Sequence, residues 1–520
     1  MTSVLPSLRD SFSSDRTPSS KLLGYYRIVP PGLSRRCPLT LARNCDVPNG
    51  GGDLDFESSF FPIPEMRRLL LLLLPLIFST HTCLAQAPEA PRVNTEMPFA
   101  ISESAPQGGF GTQTRGGLDG RIVKVTNLKD SGPGSLRMAV EALKNPRVVV
   151  FEVSGQINLK RDIYIRNPNI TIAGQTAPSP GITVTNATLR IVTHDVVVEH
   201  VRFRIGNLPG MKSLEDRDAI TLMGVSKLPA GTVPEPMVYN VVIDHCSVSW
   251  STDEGISAYF KGIRDITIRN TIIAEPLDKA GHPKGGHSMA LLIGDHTQNA
   301  TILGNLFAHS RYRNPVVKGD ASAIVADNLM YDIGSNAFHT YGGGEGKPTR
   351  VTAVANVLLA GPTRKLESKK EKTTSPDFYV DRTTRNGWTN PGSQIFLSQN
   401  IVPPGQVEGR RLLEYDVFAS KPPITLDTLR ILPASKVQDY VLEHAGARPK
   451  DRDAVDSRIV QEVRNGTGRI INTQDDVGGW PALAENHHEL KPPASLQGDD
   501  DKNGRNNLEE WLEDFRKKVE

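Results

Sequence analysis

From Arg147 onward the apolar residues come in short runs, not at helical spacing. The runs are 148–153, 170–172, 182–184, 196–198, 241–243, 266–268, 300–303, 323–325 and 351–354. Each has three to six residues, is rich in β-branched side chains and is bounded by turn residues, which is the signature of a strand. A polar mark recurs behind several of them. Asn270 follows ITIR, Asn305 follows TILG, Asn328 follows AIVAD and Asn356 follows VTAVA, each ahead of an apolar or β-branched pair. The spacing is 25 residues from His245 to Asn270, then 23 and 28 between Asn305, Asn328 and Asn356. Periods of this length mark stacked architectures, and no helical period fills the gaps between runs. The pattern predicts an all-β, right-handed, single-stranded parallel β-helix, a solenoid whose coils bury their inner faces by stacking. Asn at one repeated corner fits a ladder of side-chain amides and tolerates a left-handed bend there. A β-propeller is disfavoured because no four-strand blade period is visible.

Other elements frame that solenoid. Ser135 is a candidate N-cap for one helix over 136–143, which would cover the open end of the coil. Beyond about Pro403 the strand pattern fades, and 413–482 mixes helical and polar stretches such as 457–463. This extension is expected to pack along the outside. The organisation predicted is a misassigned or disordered leader (1–65), a signal peptide (66–87), a linker (88–98), a β-helix domain (99–402), an extension (403–490) and a terminal loop and helix (491–520).

Segment 66–87 reads MRRLLLLLLPLIFSTHTCLAQA. Arg67 and Arg68, an apolar stretch over 69–78 and Ala85-Gln86-Ala87 lay out a secretory signal starting at Met66. The stretch falls short of the ~20 apolar residues of a membrane span. A secreted or periplasmic protein is expected. Of Cys37, Cys45, Cys83 and Cys246, only Cys246 survives cleavage, so no internal disulfide is expected. Lys+Arg 60 against Asp+Glu 58 gives a net charge of +2 over 520 residues, which disfavours a nucleic-acid binder held by global charge.

Three segments concentrate chemistry-bearing residues. Asp216 and Asp218, then Asp244, Asp253 and Glu254, place carboxylates in or beside strands. Stacked coils bring such residues to ~4.8 Å, where they repel unless a cation lies between, and an all-oxygen set suits Ca²⁺. His282 and His287 flank a Gly-rich loop with Lys284. Arg311, Arg313 and Lys318 form a basic cluster. In an extended segment Arg311 and Arg313 share a face. Metal plus guanidinium suits an anionic polymer.

These residues carry a resemblance. IDHCSVSWSTDEG (243–255), ALLIG (290–294), GNLFAHSRYRNPVVKG (304–319) and DSGPGSLRMAV (130–140) resemble motifs of the pectate lyase family, over much of 99–401. The resemblance implies a parallel β-helix that cleaves polygalacturonate or pectin by Ca²⁺-assisted β-elimination. It casts Asp244 as the first Ca²⁺ ligand and Glu254, or Asp253 in a shifted register, as the second; Asp216 or Asp218 from the preceding coil is the candidate to stand in for the third. Arg313 becomes the base or the stabiliser of the enolate. Lys318, Arg311, Lys284 and His287 are the expected substrate contacts. Two positions depart from the family: Met289 stands where it has a lysine, and Ser257 or Ala258 where it has a third carboxylate. They leave the esterification preference open. A monomer with a uronate polysaccharide as its partner is expected. The alternatives are a catalytically inactive carbohydrate-binding β-helix and a glycoside hydrolase using Asp253 or Glu254 with Asp244.

A second Ca²⁺ candidate lies at 499–510, DDDKNGRNNLEE. Asp499, Asp501 and Asn503 occupy loop positions one, three and five. Gly504 is sixth, Arg505 offers a carbonyl at seven and Glu510 is twelfth, as in an EF-hand loop.

Overall fold

Each β-branched run finds its partner one coil away, not next along the chain. Val241 sits beside Ile266, Ile266 beside Ala300, Ala300 beside Ala323, Ala323 beside Val351 and Val351 beside Ile395. The computed structural model describes residues 97–520 apart from 209–213, 227–234, 236, 336, 364–377, 382–388, 405, 407 and 412–415. The predicted leader, signal segment and most of the linker lie outside the described residues.

Among the described residues three parallel sheets of ten, eight and seven strands wrap the core. The ten-stranded sheet runs from Arg121–Val125 to Gln394–Ser398, the eight-stranded from Gly155–Asn158 to Val357–Leu359, and the seven-stranded from Ile163–Ile165 to His339–Tyr341. One coil reads Val241–Asp244, Ser247–Ser249, Glu254–Tyr259, and the next begins at Arg264–Arg269. This is a parallel β-helix. Inward side chains such as Ile243, Val248 and Ile256 are fully buried in one continuous core.

The corner between the ten- and eight-stranded sheets carries the amide ladder. Asn305 Nδ2 donates to Asn328 Oδ1 (2.9 Å), Asn328 Nδ2 to Asn356 Oδ1 (2.9 Å) and Asn356 Nδ2 to Asn400 Oδ1 (2.8 Å). Asn270 does not belong to it. Thr271 stands in the ladder position, its backbone N–H donating to Asn305 Oδ1, and Asn270 sits one residue earlier. There it takes the left-handed bend itself (φ 47°), a place filled in later coils by Gly304, Asp327, Ala355 and Gln399. The ladder asparagines follow the bend and do not make it.

At the N-terminal end, 136–142 is a short helical segment, π-wound over Met138–Ala142. Ser135 Oγ accepts from Met138 N–H, and Leu136, Ala139 and Val140 plug the core. Among the described residues three helices dress the outside: α1 (Ala434–His444), α2 (Ala454–Asn465) and α3 (Asn507–Val519). Valines of α1 and α2 pack on Ile272, Leu306, Leu329 and Val357 of the eight-stranded sheet. Helix α2 starts at Asp453, whose side chain accepts from Asp456 N–H, and stops at Gly466 (φ 67°). The same two carboxylates bind fully buried Arg204, each with an oxygen 2.8 Å from its Nη2. Helix α3 lays Leu508, Leu512, Trp511 and Phe515 on Val148, Val150 and Ala173 of the ten-stranded sheet. No helix among the described residues is long and apolar enough to cross a membrane.

Candidate active site

The site forms where coils meet at the N-terminal ends of strands in the seven-stranded sheet. Asp218 precedes strand Ile220–Met223, and Asp253 and Glu254 open strand Glu254–Tyr259. Pairing of Ile220 with Ile256 stacks these segments one coil apart. Asp218, Asp253 and Glu254 are all buried, and each offers an oxygen within 4.8 Å of the others. Asp218 accepts from Glu254 N–H (2.9 Å), Thr221 Oγ1 (2.8 Å) and the Ser257 hydroxyl. Burial, then the Asp253 charge, pushes its pKa up to about 7 against the pull of those hydroxyls. Asp253 moves the other way. Burial would raise it, but His287 Nε2, 2.6 Å away, holds it down.

Three crowded carboxylates, one of them driven toward protonation, suit a hard divalent cation. The donor set therefore fits Ca²⁺. Ser257, one of the two positions expected to replace a third carboxylate, donates to Asp218. His282 and His287 lie close enough to Asp253 to suggest a second ion, but their geometry is wrong. The rings stack face to face (3.8 Å, 14°), and His282 Nδ1 accepts from Lys284 N–H (3.2 Å). Ring lone pairs lie in the ring plane, so stacked imidazoles do not aim at one ion. His287 alone hydrogen-bonds Asp253, with His282 stacked behind it and its Nε2 3.8 Å from the same oxygen.

Arg313 reaches this cluster from a left-handed residue (φ 63°) ahead of strand Val316–Lys318. Its guanidinium is ion-paired with Glu254, and its Nη2 donates to Tyr341 Oη (3.3 Å). Lys318 lies 3.0 Å from Asp295, between the rings of Tyr259 (5.6 Å) and Tyr341 (5.1 Å).

Several expected site residues are placed elsewhere. Asp244 ends its strand in the ten-stranded sheet, and strand Ser247–Ser249 intervenes before Asp253. Its carboxylate binds Arg269 (2.6 Å) and His245 (2.8 Å). Burial alone would raise its pKa, yet these cations hold it well below the usual range. The structure does not bring Asp244 to Asp253 and Glu254, because the coil turns a corner between them. Arg311 does not share a face with Arg313. It binds Asp278 through two contacts (2.9 and 3.0 Å), and the left-handed bend at Arg313 breaks the alternation of an extended chain. His287 is buried on Asp253 and does not line an open groove. Lys284 is exposed, 3.6 Å from Glu215. Met289 pairs in register with Glu254. Tyr341, Tyr259 and Asp295 carry no signal in the sequence patterns above. Tyr341 was findable only through register, since it lies one coil beyond Lys318.

At the C-terminus, Asp499 accepts from the N–H groups of Asn503 (3.0 Å) and Gly504 (2.9 Å). Asn503 Nδ2 donates to Asp501 (2.9 Å) and Glu510 (2.5 Å). Loop positions one, three, five and twelve thus gather, while the Arg505 N–H returns to Asn503 Oδ1. Asn506, at position eight, caps α3 reciprocally with Glu509.

A parallel β-helix with an acidic cluster and a guanidinium at the strand starts of one sheet is the kind of scaffold and site that a β-helix polysaccharide lyase uses. A probable pectate lyase C of Emericella nidulans is 31% identical over 406 residues, 77% of this chain and 84% of that protein. A probable pectate lyase C of Neosartorya fischeri is 32% identical over 381 residues, 71% and 79% respectively. The chain belongs to the pectate lyase family. Among solved structures, pectate lyase II from Xanthomonas campestris is 13% identical, with a TM-score of 0.42 over 66% of this chain and 99% of that one. A Bacillus pectate lyase in complex with trigalacturonate is 14% identical, with a TM-score of 0.40 over 65% and 98%. No family model matches the chain.

Proposed function

We propose that the protein cleaves polygalacturonate, or a closely related uronate polymer, by Ca²⁺-assisted β-elimination. The convergence of Asp218, Asp253 and Glu254 with the Arg313 guanidinium carries the reading. Asp218, Asp253 and Glu254 would hold Ca²⁺, which when bound neutralises the uronate carboxylate and acidifies the adjacent C5–H. His287 and the Asp216 N–H fix the two oxygens of Asp253 (2.6 and 2.9 Å). Arg313 faces the place where charge develops. Its role is to take the C5 proton as the base, or to stabilise the enolate while solvent takes that proton; the C5 electron pair then forms the C4–C5 double bond and expels the C4 oxygen. Lys318 would bind a neighbouring carboxylate in competition with Asp295. Export through segment 66–87 would deliver the enzyme to its polymer.

The test uses residues 88–520 with polygalacturonate, with and without Ca²⁺, followed by ultraviolet absorbance. Elimination conjugates a new C4–C5 double bond to the carboxylate. A Ca²⁺-dependent rise, abolished in Arg313→Ala, is expected. New reducing ends without absorbance would mean hydrolysis, and binding without new ends would mean an inactive lectin-like protein.

We also propose that Asp499, Asp501, Asn503, Glu510 and the Arg505 carbonyl bind a structural Ca²⁺. Support comes from the match to loop positions one, three, five, seven and twelve and from their gathering at the start of α3. Terbium luminescence sensitised by neighbouring Trp511 should appear and be lost in Glu510→Gln; equal signal in both proteins would refute the site.

A further inference from the structure

Tyr341 lies outside every motif that carries the family resemblance, yet it touches both cations of the site. Strand His339–Tyr341 stacks directly on Val316–Lys318, so Tyr341 is the register partner of Lys318. The Lys318 ammonium lies 5.1 Å from the centre of its ring, within cation–π range. On the same side chain, the hydroxyl accepts from Arg313 Nη2 at 3.3 Å. Tyr341 as a whole is 4% exposed and packs with Leu292, Val316 and the partly buried Tyr259. It is therefore a rigid post with an apolar body and one polar tip.

We propose that Tyr341 is a positioning residue that sets the spacing and orientation of Arg313 and Lys318, the hydroxyl holding one and the ring the other. The proposal rests on the lyase reading of the site. Its physical basis is the competition for Arg313. Glu254 pairs with the guanidinium on one side, and an arginine left with that single partner can rotate onto the carboxylate and away from the substrate. A second acceptor on the other terminal nitrogen, Nη2 where Glu254 takes Nη1, fixes the guanidinium plane. Held groups contribute far more to a transition state than mobile ones, because the orientation is set before the reaction begins. Lys318, pulled by Asp295 on one side, is held back by the Tyr259 and Tyr341 rings in the same manner.

Two substitutions separate the two halves of the post. Tyr341→Phe keeps the ring and removes only the hydroxyl. It should lower kcat on the order of tenfold or more while leaving KM and the melting temperature near wild type. Tyr341→Leu removes the ring as well and should raise KM in addition. The effect of Tyr341→Phe should also vanish when Arg313 is already lysine, since a residue acting through Arg313 has nothing left to orient. A wild-type kcat in Tyr341→Phe overturns the proposal. So does a fall in kcat that tracks a loss of folded protein, or an undiminished effect in the Arg313→Lys background. Failure of the lyase reading would look different, because the wild-type protein would then release no unsaturated product from any uronate polymer.

Discussion

Arg313 is fixed by a carboxylate at Nη1 and a phenol at Nη2. Both contacts use the planar, forked geometry of a guanidinium, which an ammonium cannot reproduce. Arg313→Lys keeps the charge and loses the fork. We expect its kcat to fall on the order of 100-fold, the scale seen when one donor to a developing oxyanion is removed, as read from initial rates of absorbance increase. A wild-type rate in Arg313→Lys would refute every role assigned to this residue. Arg311 shows why residue type alone is a poor guide, because an equally basic neighbour two positions away is bound to Asp278.

Elements here are held by polar ladders as much as by apolar packing. Asn328 gives hydrogen bonds to Asn356 and to the carbonyls of Ile302 and Ala326, and accepts from Asn305. Asn328→Leu takes away the acceptor of the buried Asn305 N–H and the side-chain donor to the Ile302 carbonyl. A loss of about 2–4 kcal/mol is expected from the per-group cost, measurable by urea unfolding; a change near zero would show that the ladder is dispensable. Helix α2 is held differently, by charge. His309 lies 2.9 Å from Asp332 and 3.3 Å from Glu462 of α2, beside the Arg458 pairing with Glu275 (2.7 Å) and Glu462 (2.9 Å). Burial would lower the pKa of His309, but hydrogen bonds to Asp332 and Glu462 carry it up to about 9. A folded-state pKa above the ordinary value near 6.5 stabilises most below pH 6.5, and the stabilisation is lost as pH rises through about 9. Wild type should therefore lose up to about 3 kcal/mol across that window, and His309→Gln should lose much less. Equal pH slopes for the two proteins would refute the assignment.

At the scale of the whole molecule, an open β-helix has two problems, its ends and its exposed flat faces. The 136–142 segment plugs one end, while α1, α2 and α3 cover the eight- and ten-stranded sheets. The site spans the seven-stranded sheet from the N-terminal ends of its third and fourth strands, where Asp218, Asp253 and Glu254 lie, to its last two, which bring Arg313 and Tyr341. Removing residues 491–520 would uncover Val148, Val150, Ala173 and their partly buried neighbours Leu118 and Ile122. That truncation should bind an apolar dye strongly and associate at concentrations where the full chain does not. A soluble, dye-silent truncation would show that α3 is not a needed cover.

The hydrophobic pattern alone determined the repeat, the parallel β-helix and eight of the ten strands of the ten-stranded sheet, missing its two end strands Arg121–Val125 and Gln394–Ser398. All the strand runs legible before the structure belong to that sheet except 182–184. They are legible because long β-branched runs are buried on their inner face and often under a helix as well. Strands of the seven-stranded sheet are harder to read, since they carry Ser257, Lys318 and Tyr341 among their apolar residues. The acidic and basic segments of the site were also visible as composition, including Asp218, Asp253, Glu254 and Arg313. Tertiary structure decided which of them meet. Two residues nine apart, such as Asp244 and Asp253, lie on different corners of one coil, while Asp218 and Glu254, 36 apart, touch. Register between coils sets these distances, and it depends on the exact length of every intervening turn, which no local pattern encodes.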